Sequence, residues 1–368
     1  MFEKRIKDLR KRLLKEKLDG VLISSVSNIS YLSGFSNFSK DEREAYLFIG
    51  QDFEYIITDG RYSEAVKKQV THLTLFERGG EKSTEDLLKK HKKEIKTLGI
   101  EEDNLTVSEH KLIKKHFKNL KHFPISRSIK TNDEIEKIER ACKLGDEAFK
   151  YGLAQIKSGI TEKELAFEIE NFVKKNGVEL SFPTIVAFGA NSSVPHHQTG
   201  NTVLENNQIV LIDMGVKLDN YCSDMTRTVF FGKPTEKQRH IYETALEAQQ
   251  KAVEFLEKSM KSGKQVNKFA ANAVKASEVD GVARKHIITK GFPSIPHSLG
   301  HGIGLEVHES PHLSPKSKDI LKEGMVFSIE PGIYLEGFGG VRIEDLFVLE
   351  NGKLRCLTHS NSSLKIVY

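Results

Sequence analysis

Five side chains of metal-binding types occur in the C-terminal part of the chain, each in or beside a short apolar run that predicts a β-strand. A charged side chain in such a run costs free energy unless it is paired or binds a cation. Four carboxylates and one imidazole form the ligand set that two adjacent divalent cations need. The sequence therefore predicts strands that converge on a two-metal centre. The five residues are Asp213 in VLIDMG, Asp224 in YCSDMTRT, His301 in HSLGHGIG, Glu330 in FSIEPG and Glu344 in GVRIED.

The two aspartates are expected on a β-hairpin. Asp213 ends the apolar run QIVLID, and Asp224 follows after the turn-forming segment VKLDN. In a hairpin the pleat can place both carboxylates on one face, where they repel unless one is protonated or a cation lies between them. An exposed turn would explain either aspartate alone. For the pair, flanked by apolar or small residues, we prefer the metal site.

Histidines cluster in two further segments. In HSLGHGIGLEVH, the glycines argue against a helix and favour a loop or strand edge that permits close approach around His301. The segment SVPHHQTGN predicts a loop that carries His196 and His197, either of which could serve as a proton donor near a metal. Their spacing alone does not decide which of the two points inward.

The segment GVRIED offers an alternative to metal binding. Asp345 follows Glu344 and must point to the opposite face of a strand. A buried ion pair between Arg342 and a glutamate would also explain a charge at this place.

Length and composition limit the classes of protein that fit. The chain has 368 residues, of which 38% are hydrophobic and 29% charged, and this predicts a globular protein of two or three domains. We expect no membrane segment, because no run of 18 apolar residues occurs, and no signal peptide, because the N-terminal segment has no apolar region. We expect no nucleic-acid partner, because the lysines alternate with Leu and Ile at helical spacing. Three cysteines without a CxxC motif indicate a reducing, cytoplasmic location.

Residues 1–126 alternate helix-like and strand-like segments, which is typical of an α/β layer fold. A helix is predicted over residues 83–95, and the chain opens with a predicted amphipathic helix. The residues expected on one face of that first helix are Phe2, Ile6, Leu9, Leu13, Leu14 and Leu18.

Residues 127–368 predict an α+β domain. Thr131 with Glu134, and Thr161 with Glu164, form capping boxes that begin two long helices. A third helix is expected from Pro234 to about residue 260, and the strand-like segments between and after the helices suggest hairpins.

The ordered phrases IDMG, SDMTRT, HSLGHGIGLEVHE, EPGIY and RIED resemble the aminopeptidase P and prolidase branch of the M24-type pita-bread metallopeptidases. NISYLSGF and DGRYSEA resemble the creatinase-like accessory domain of that branch, which methionine aminopeptidases lack. The resemblance covers essentially the whole chain. It implies a pita-bread catalytic domain over 127–368, preceded by an α/β accessory domain over 1–126. The implied activity is hydrolysis of the bond between an N-terminal residue and proline.

The resemblance also implies the metal ligands by position. Asp213 would be bidentate on one metal, and His301 with Glu330 would bind the second. Asp224 and Glu344 would bridge the two cations. A hydroxide held between the metals would attack the scissile carbonyl, because two cations lower the pKa of water and polarise the carbonyl. Glu330 matches the glutamate assigned as proton shuttle.

Other residues are assigned catalytic roles in the same way. His196, and not His197, matches the histidine that follows proline in the family. His297 and His308 match histidines that steady the tetrahedral intermediate.

Substrate contacts are expected from Tyr334, Arg342 and His312. Relatives that act on free dipeptides often carry arginine in the segment where this chain has His312 in HESPHLS. Arginine binds a C-terminal carboxylate with two hydrogen bonds, whereas histidine does so poorly at neutral pH. We therefore expect an Xaa-Pro aminopeptidase. Xaa-Pro dipeptidase (prolidase) is the alternative, because Arg342 or an accessory-domain arginine can replace the missing one.

The expected cofactors are two divalent ions, with Mn²⁺ preferred over Co²⁺, Zn²⁺ and Fe²⁺. The expected partners are peptides with proline at the second position and a second copy of the chain, as a homodimer. Two other hypotheses use the same fold. A creatinase-like amidinohydrolase needs no metal, and a non-catalytic peptide-binding protein typically loses ligands, whereas this chain retains all five.

Overall fold

The N-terminal part of the computed structural model is a mixed six-stranded sheet with helices around it. The structure describes residues 1–261 and 274–368, and the chain divides into two units, Met1–Ser126 and Arg127–Tyr368. In the first unit the strands are β1 (Gly20–Ile23), β2 (Tyr46–Gly50), β3 (Glu54–Asp59), β4 (Thr74–Arg78), β5 (Thr97–Ile100) and β6 (Asn119–His122). Its helices are α1 (Phe2–Glu16), α2 (Val26–Ser33), α3 (Gly60–Gln69), α4 (Thr84–Lys90) and α5 (Val107–His116). The sheet order is β4-β3-β2-β1-β5-β6, and the α/β prediction is confirmed.

Two local predictions in this unit are wrong in detail. Leu14 is 63% exposed, whereas Leu13 beside it is fully buried, because adjacent helical residues point about 100° apart. Helix α4 ends at Lys90 and does not continue to residue 95. There the ring of His91 lies 3.9 Å from that of Phe53, and its Nδ1 lies 2.8 Å from the Glu94 carboxylate.

In its described residues, the second unit contains four long helices and several small sheets. Its helices are α6 (Asn132–Gln155), α7 (Glu162–Lys175), α8 (Glu236–Lys261) and α9 (Ala276–Thr289). Its first strands are β7 (Glu179–Leu180), β8 (Ile185–Phe188), β9 (Gln208–Met214), β10 (Val216–Leu218), β11 (Tyr221–Cys222) and β12 (Met225–Phe231). The later strands are β13 (Gly300–Gly302), β14 (Glu309–Leu313), β15 (Val326–Ile329), β16 (Gly332–Leu335), β17 (Gly339–Arg342), β18 (Asp345–Glu350), β19 (Lys353–Cys356) and β20 (Ile366–Val367).

Two of these sheets carry the predicted ligands. Their orders are β20-β12-β9-β8 and β14-β13-β15-β18-β19, and smaller sheets have the orders β11-β10-β7 and β16-β17. Most neighbouring strands are antiparallel, which confirms the α+β prediction. The capping boxes at Thr131 and Thr161 are present, and Thr235 with Gln238 makes the equivalent contacts before α8.

The largest apolar core lies between α8, α9 and the second of these sheets. On α8, Ala245, Ala248 and Ala252 are fully buried, and their small side chains let the two helices pack closely. Phe327 of β15 and Leu349 of β18 cover the same core. This packing holds the ligand-bearing strand ends in place. Within the described residues, every helix is too short or too polar to span a bilayer.

Candidate metal centre

Asp213 lies on β9, and Asp224 lies immediately before β12, the strand that pairs with β9. Strands β9 and β12 are antiparallel, with Asp213 opposite Thr226. Asp224 is two residues before Thr226, so the pleat directs it toward the same face as Asp213. The backbone N–H of Glu344 donates to the carbonyl of Thr226 at 3.1 Å, which brings the segment after β17 to the same place.

Four predicted ligands meet closely, and the fifth lines the same cavity. Asp224, His301 and Glu344 each offer one ligand atom, and these three atoms lie within 4.8 Å of one another. The Nε2 atom of His301 is 3.3 Å from Glu330 Oε1 and 3.6 Å from Asp224 Oδ2. Asp213 lines the cavity beside them. The five side chains singled out in the sequence therefore surround one small volume.

The glycines around His301 have a backbone role. A Cβ atom on Gly300 would lie 1.9 Å from the carbonyl oxygen of Ser328, and one on Gly302 would lie 2.3 Å from that of Ser310. Both positions therefore exclude any side chain. The sequence predicted a close approach here, and the structure shows that neighbouring backbone is what approaches. His301 is thereby held between β14 and β15.

The carboxylates of the centre are hard to ionise together. Burial, reinforced by the charges of Glu344 and Asp213, raises the pKa of Asp224 well above its usual range. Burial and the charges of Glu330 and Asp213 raise that of Glu344 in the same direction. Burial raises the pKa of Glu330 to about 8. Burial lowers the pKa of His301, which keeps its imidazole neutral, as a metal ligand must be.

Unpaired oxygens show that these residues fit a cation. Asp213 Oδ1, Asp224 Oδ1 and Glu344 Oε1 are buried and accept no hydrogen bond from the described residues. A buried acceptor without a partner costs about 1–3 kcal/mol, and more when it is charged. Divalent cations would supply the missing partners and relieve the repulsion among the carboxylates. The donor set, rich in oxygen with one nitrogen, suits Mn²⁺ and its neighbours.

The pKa shifts predict how metal-free protein responds to pH. A carboxyl whose pKa is raised on folding binds its proton more tightly in the folded state, so its contribution to stability is lost as pH rises toward the folded pKa. For Glu330, with a folded pKa of about 8, that loss extends from about pH 4.3 to pH 8. Burial lowers the pKa of His297, His301 and His308, so these rings are neutral in the folded protein above pH 7.

We therefore expect the melting temperature of EDTA-treated protein to fall between pH 7 and pH 8. Saturating Mn²⁺ should abolish or reverse this slope, because metal binding requires deprotonated ligands. The check is thermal unfolding of the wild type and of Glu330→Gln across this range. The variant should show a flatter metal-free slope. Identical slopes in the two proteins would contradict the assignment to Glu330.

Arg342 is paired with an aspartate and not with a glutamate. Its Nη2 donates to Asp213 Oδ2 at 2.7 Å, and its Nε donates to Thr226 Oγ1 at 2.9 Å. Its Nη1 donates to the Tyr334 hydroxyl at 3.0 Å and to the carbonyl of Pro195 at 3.3 Å. The ion pair considered as an alternative to a metal site thus exists with a different partner. Arg342 donates to one carboxylate oxygen of Asp213, and the other oxygen accepts no hydrogen bond from the described residues.

Sequence reasoning missed two residues of β12. Thr226 Oγ1 donates to Glu344 Oε2 at 2.7 Å, so it orients a predicted ligand directly. Arg227 is 2% exposed and donates to the carbonyl of Glu344 and to the carboxylate of Asp345. Asp345 does point away from the centre, as predicted. Three polar residues in a row inside an apolar strand, Thr226 to Thr228, were the available signal.

His297 and Tyr334 form a chain of hydrogen bonds beside Glu330. Nδ1 of His297 lies 2.8 Å from the carbonyl of Ser298, and its Nε2 lies 2.8 Å from the Tyr334 hydroxyl. Burial lowers the pKa of His297 to about 4, so the ring is neutral. A neutral ring that donates through Nδ1 must accept at Nε2, and Tyr334 is then the donor. The Nδ1 atom lies 4.0 Å from Glu330 Oε2.

The structure separates the two histidines that the sequence could not separate. His197 Nε2 lies 2.9 Å from the carboxylate of Glu162, which is fully buried. Glu162 also accepts from the backbone N–H groups of Phe188 and Gly200, so this pair anchors the loop. The ring of His196 is exposed at the cavity and makes no hydrogen bond to the part of the chain that the structure describes.

A cavity of about 880 Å³ opens beside the candidate ligands. His308 and His312 are exposed on its wall, and the His308 ring lies 4.3 Å from that of His301. Tyr334 does not line the cavity, but its hydroxyl contacts His297 and Arg342, which do. The wall also contains an apolar stretch formed by Phe182, Pro183, Ile185, Pro195 and Val307.

Comparison with known proteins decides the family. Residues 136–351 match the model of metallopeptidase family M24, and residues 5–135 match that of the creatinase/prolidase N-terminal domain. The chain belongs to metallopeptidase family M24. The predicted pita-bread fold and creatinase-like N-terminal domain are thereby confirmed. This M24 peptidase is a metal-dependent enzyme, and the amidinohydrolase alternative is not supported.

Three relatives illustrate the branch of the family. The M24 peptidase is 36% identical over 364 residues to the Xaa-Pro dipeptidase of Pyrococcus furiosus, with 96% of this chain and 97% of that protein covered. It superposes on an Xaa-Pro dipeptidase from Bacillus anthracis with a TM-score of 0.87, at 33% identity and full coverage of both chains. It superposes on an X-Pro aminopeptidase from Thermotoga maritima with a TM-score of 0.81, at 33% identity, covering 99% and 100% of the two chains. Both activities therefore occur among similar proteins.

Proposed function

We propose that this M24 peptidase is an Xaa-Pro aminopeptidase, which removes the N-terminal residue from peptides of three or more residues with proline second. The observation that carries the proposal is the charge of the cavity wall. Arg342 is the only lysine or arginine among its lining residues in the described parts of the chain. Its guanidinium is already engaged with Asp213, Thr226, Tyr334 and Pro195. The described residues of this wall therefore offer no free cation to the C-terminal carboxylate of a dipeptide.

The metal centre of the proposed enzyme uses the five side chains described above. Two divalent cations would be held by Asp213, Asp224, His301, Glu330 and Glu344. The unpaired oxygens of Asp213, Asp224 and Glu344 support this assignment. When bound, such cations lower the pKa of a shared water and polarise the scissile carbonyl.

The residues around the centre have distinct proposed tasks. Glu330 is placed to hold and transfer a proton, since one oxygen accepts from Ser328 at 3.0 Å and the other faces His297. His196 has a free ring at the cavity and would stabilise the charge that develops on the substrate carbonyl. His308, between β13 and β14, would also contact the substrate carbonyl.

His297 is proposed to act mainly by orientation. The family resemblance assigns it a contact with the tetrahedral intermediate, but both of its ring nitrogens are engaged here. A direct contact with substrate would require one of these hydrogen bonds to open. While both of these hydrogen bonds are formed, His297 and Tyr334 hold Arg342 in place, and Arg342 in turn orients Asp213.

Xaa-Pro dipeptidase activity is the second candidate function. It is favoured by the relatives that carry this name at 36% identity over nearly the whole chain. In that case a cation from outside the described wall would have to bind the substrate carboxylate.

The test compares hydrolysis of an Xaa-Pro dipeptide and an Xaa-Pro-Xaa tripeptide by the Mn²⁺-loaded protein. We expect the tripeptide to have the higher kcat/KM, because its C-terminus extends beyond the wall and needs no cation. Higher kcat/KM for the dipeptide would reject the aminopeptidase proposal in favour of the dipeptidase. Hydrolysis of neither substrate would reject both.

A matched variant sharpens this test. His312→Arg places a guanidinium on the cavity wall at the position where dipeptidases often carry arginine. We expect it to raise kcat/KM for the dipeptide about tenfold, because a hydrogen bond to a charged group contributes about 1.5–3 kcal/mol. The tripeptide value should change little. An unchanged dipeptide value would mean that His312 does not face the substrate C-terminus.

We propose Mn²⁺ as the working metal and a homodimer as the assembled form. The oxygen-rich ligand set accepts Mn²⁺ readily, although Co²⁺, Zn²⁺ and Fe²⁺ bind similar sites. Elemental analysis of protein purified without added metal would identify the cation. Light scattering after gel filtration would give the mass of the assembly.

A further inference from the structure

One buried side-chain amide contacts the backbone next to both Glu330 and Glu344. Gln249 lies in the middle of α8 and is 5% exposed. Its Nε2 donates to the carbonyl of Ile329 at 3.0 Å and contacts that of Ile343 at 3.4 Å. These residues immediately precede Glu330 and Glu344. A single side chain therefore contacts the backbone next to two predicted ligands.

The same amide also reaches the residue after the second ligand. Its Nε2 lies 3.0 Å from Asp345 Oδ2, and Asp345 is paired with Ile329 across strands β15 and β18. The other Asp345 oxygen accepts from Arg227 and from the Thr358 hydroxyl. Asp345 points away from the centre, so Gln249 acts from the side of these strands that is opposite to the ligands.

We propose that Gln249 is a positioning residue that sets the separation of Glu330 and Glu344 and thereby the affinity of the centre for its second cation. The inference rests on the proposed two-metal site. An amide has two N–H groups, and here three acceptors from two chain segments share them. Removing the amide leaves buried carbonyls and a carboxylate oxygen without this donor, and the segments can then move apart.

The neighbouring residue provides a matched control. Gln250 follows on the same helix but is exposed to solvent. Methionine has nearly the volume of glutamine and a high helix propensity, but it carries no N–H donor. Gln249→Met therefore removes an amide that is buried against the segments carrying Glu330 and Glu344, whereas Gln250→Met removes one that is exposed.

The test is a calorimetric titration of each metal-free protein with Mn²⁺, which measures the affinity for each cation. We expect Gln249→Met to weaken binding of the second cation about 10- to 100-fold, the usual effect of losing a group that supports a ligand. Gln250→Met should bind like the wild type. At saturating Mn²⁺, turnover by Gln249→Met should recover largely. Equal Mn²⁺ affinity in Gln249→Met and wild type, with only a lower melting temperature, would overturn the inference.

A second variant covers the case in which Gln249→Met does not fold. Gln249→Asn keeps both donors on a side chain that is one methylene shorter, and it should weaken the second cation by an intermediate factor. Wild-type affinity in Gln249→Asn would also overturn the inference. If the wild type itself binds fewer than two Mn²⁺ ions per chain, the two-metal proposal fails instead, and the two failures are thus distinguishable.

Discussion

Alanine in place of Asp224 or Glu344 is expected to abolish both metal binding and peptide hydrolysis. Both side chains are nearly fully buried, and each has one oxygen that accepts no hydrogen bond from the described residues. Each also has a ligand atom within 4.8 Å of a ring nitrogen of His301. A cation that polarises the carbonyl contributes several kcal/mol, so its loss should lower the rate by about 1,000-fold or more.

The expected stability of these variants separates ligand loss from misfolding. Each substitution removes one member of a buried carboxyl cluster in which burial and mutual repulsion disfavour ionisation, so we expect the metal-free variants to remain folded. Added Mn²⁺ should raise the melting temperature of the wild type but not of the variants.

The measurements are metal content by elemental analysis, turnover of a tripeptide and thermal unfolding with and without Mn²⁺. Asp219→Asn is the control, because Asp219 is exposed and pairs with the exposed Arg140, and not with a residue of the centre. Asn also accepts the positive φ of 50° at this position. Activity retained by Asp224→Ala or Glu344→Ala would exclude the dinuclear proposal.

His196→Ala is expected to lower kcat by about 100- to 10,000-fold without loss of metal, because His196 is proposed to act on the substrate and not on a cation. The ring is exposed at the cavity and bonds to no described residue, so the melting temperature should not change. KM should change much less than kcat, since the contact is proposed to strengthen in the transition state.

His197→Ala is the matched comparison and should behave in the opposite way. Its loss removes one donor from the buried carboxylate of Glu162, which should destabilise the fold by about 1–3 kcal/mol. Folded His197→Ala protein should retain a larger fraction of the wild-type kcat than His196→Ala does. A larger drop in kcat for His197→Ala, at equal metal content, would mean that the roles of the two histidines are reversed.

The local features of the fold could be read from the sequence because they depend on neighbours along the chain. Capping boxes such as Thr131 with Glu134 use residues three apart, and strand alternation fixed that Asp345 points away from Glu344. The end of α4 was not predicted. The helix stops at Lys90, and the ring of His91 packs on Phe53 from another element, a contact that the local sequence does not report.

The site could be predicted only in part. The glycines on both sides of His301 indicated close approach, but not that the carbonyls of Ser328 and Ser310 are what approaches. A buried ion pair of Arg342 was foreseen, yet its partner is Asp213, which lies 129 residues away in the sequence. Gln249 gave no signal, since it resembles Gln250 beside it.

The sequence by itself determined which side chains are available for chemistry and which segments carry them. Five candidate ligands in or beside apolar runs, and the short phrases around them, were enough to identify the family. The tertiary structure decided which atoms meet: the partner of Arg342, the histidine of the pair that binds Glu162, and the amide behind Glu330 and Glu344. The physical reason is that such contacts depend on strand register and helix packing across distant segments, whereas a sequence pattern reports only the local preference of each segment.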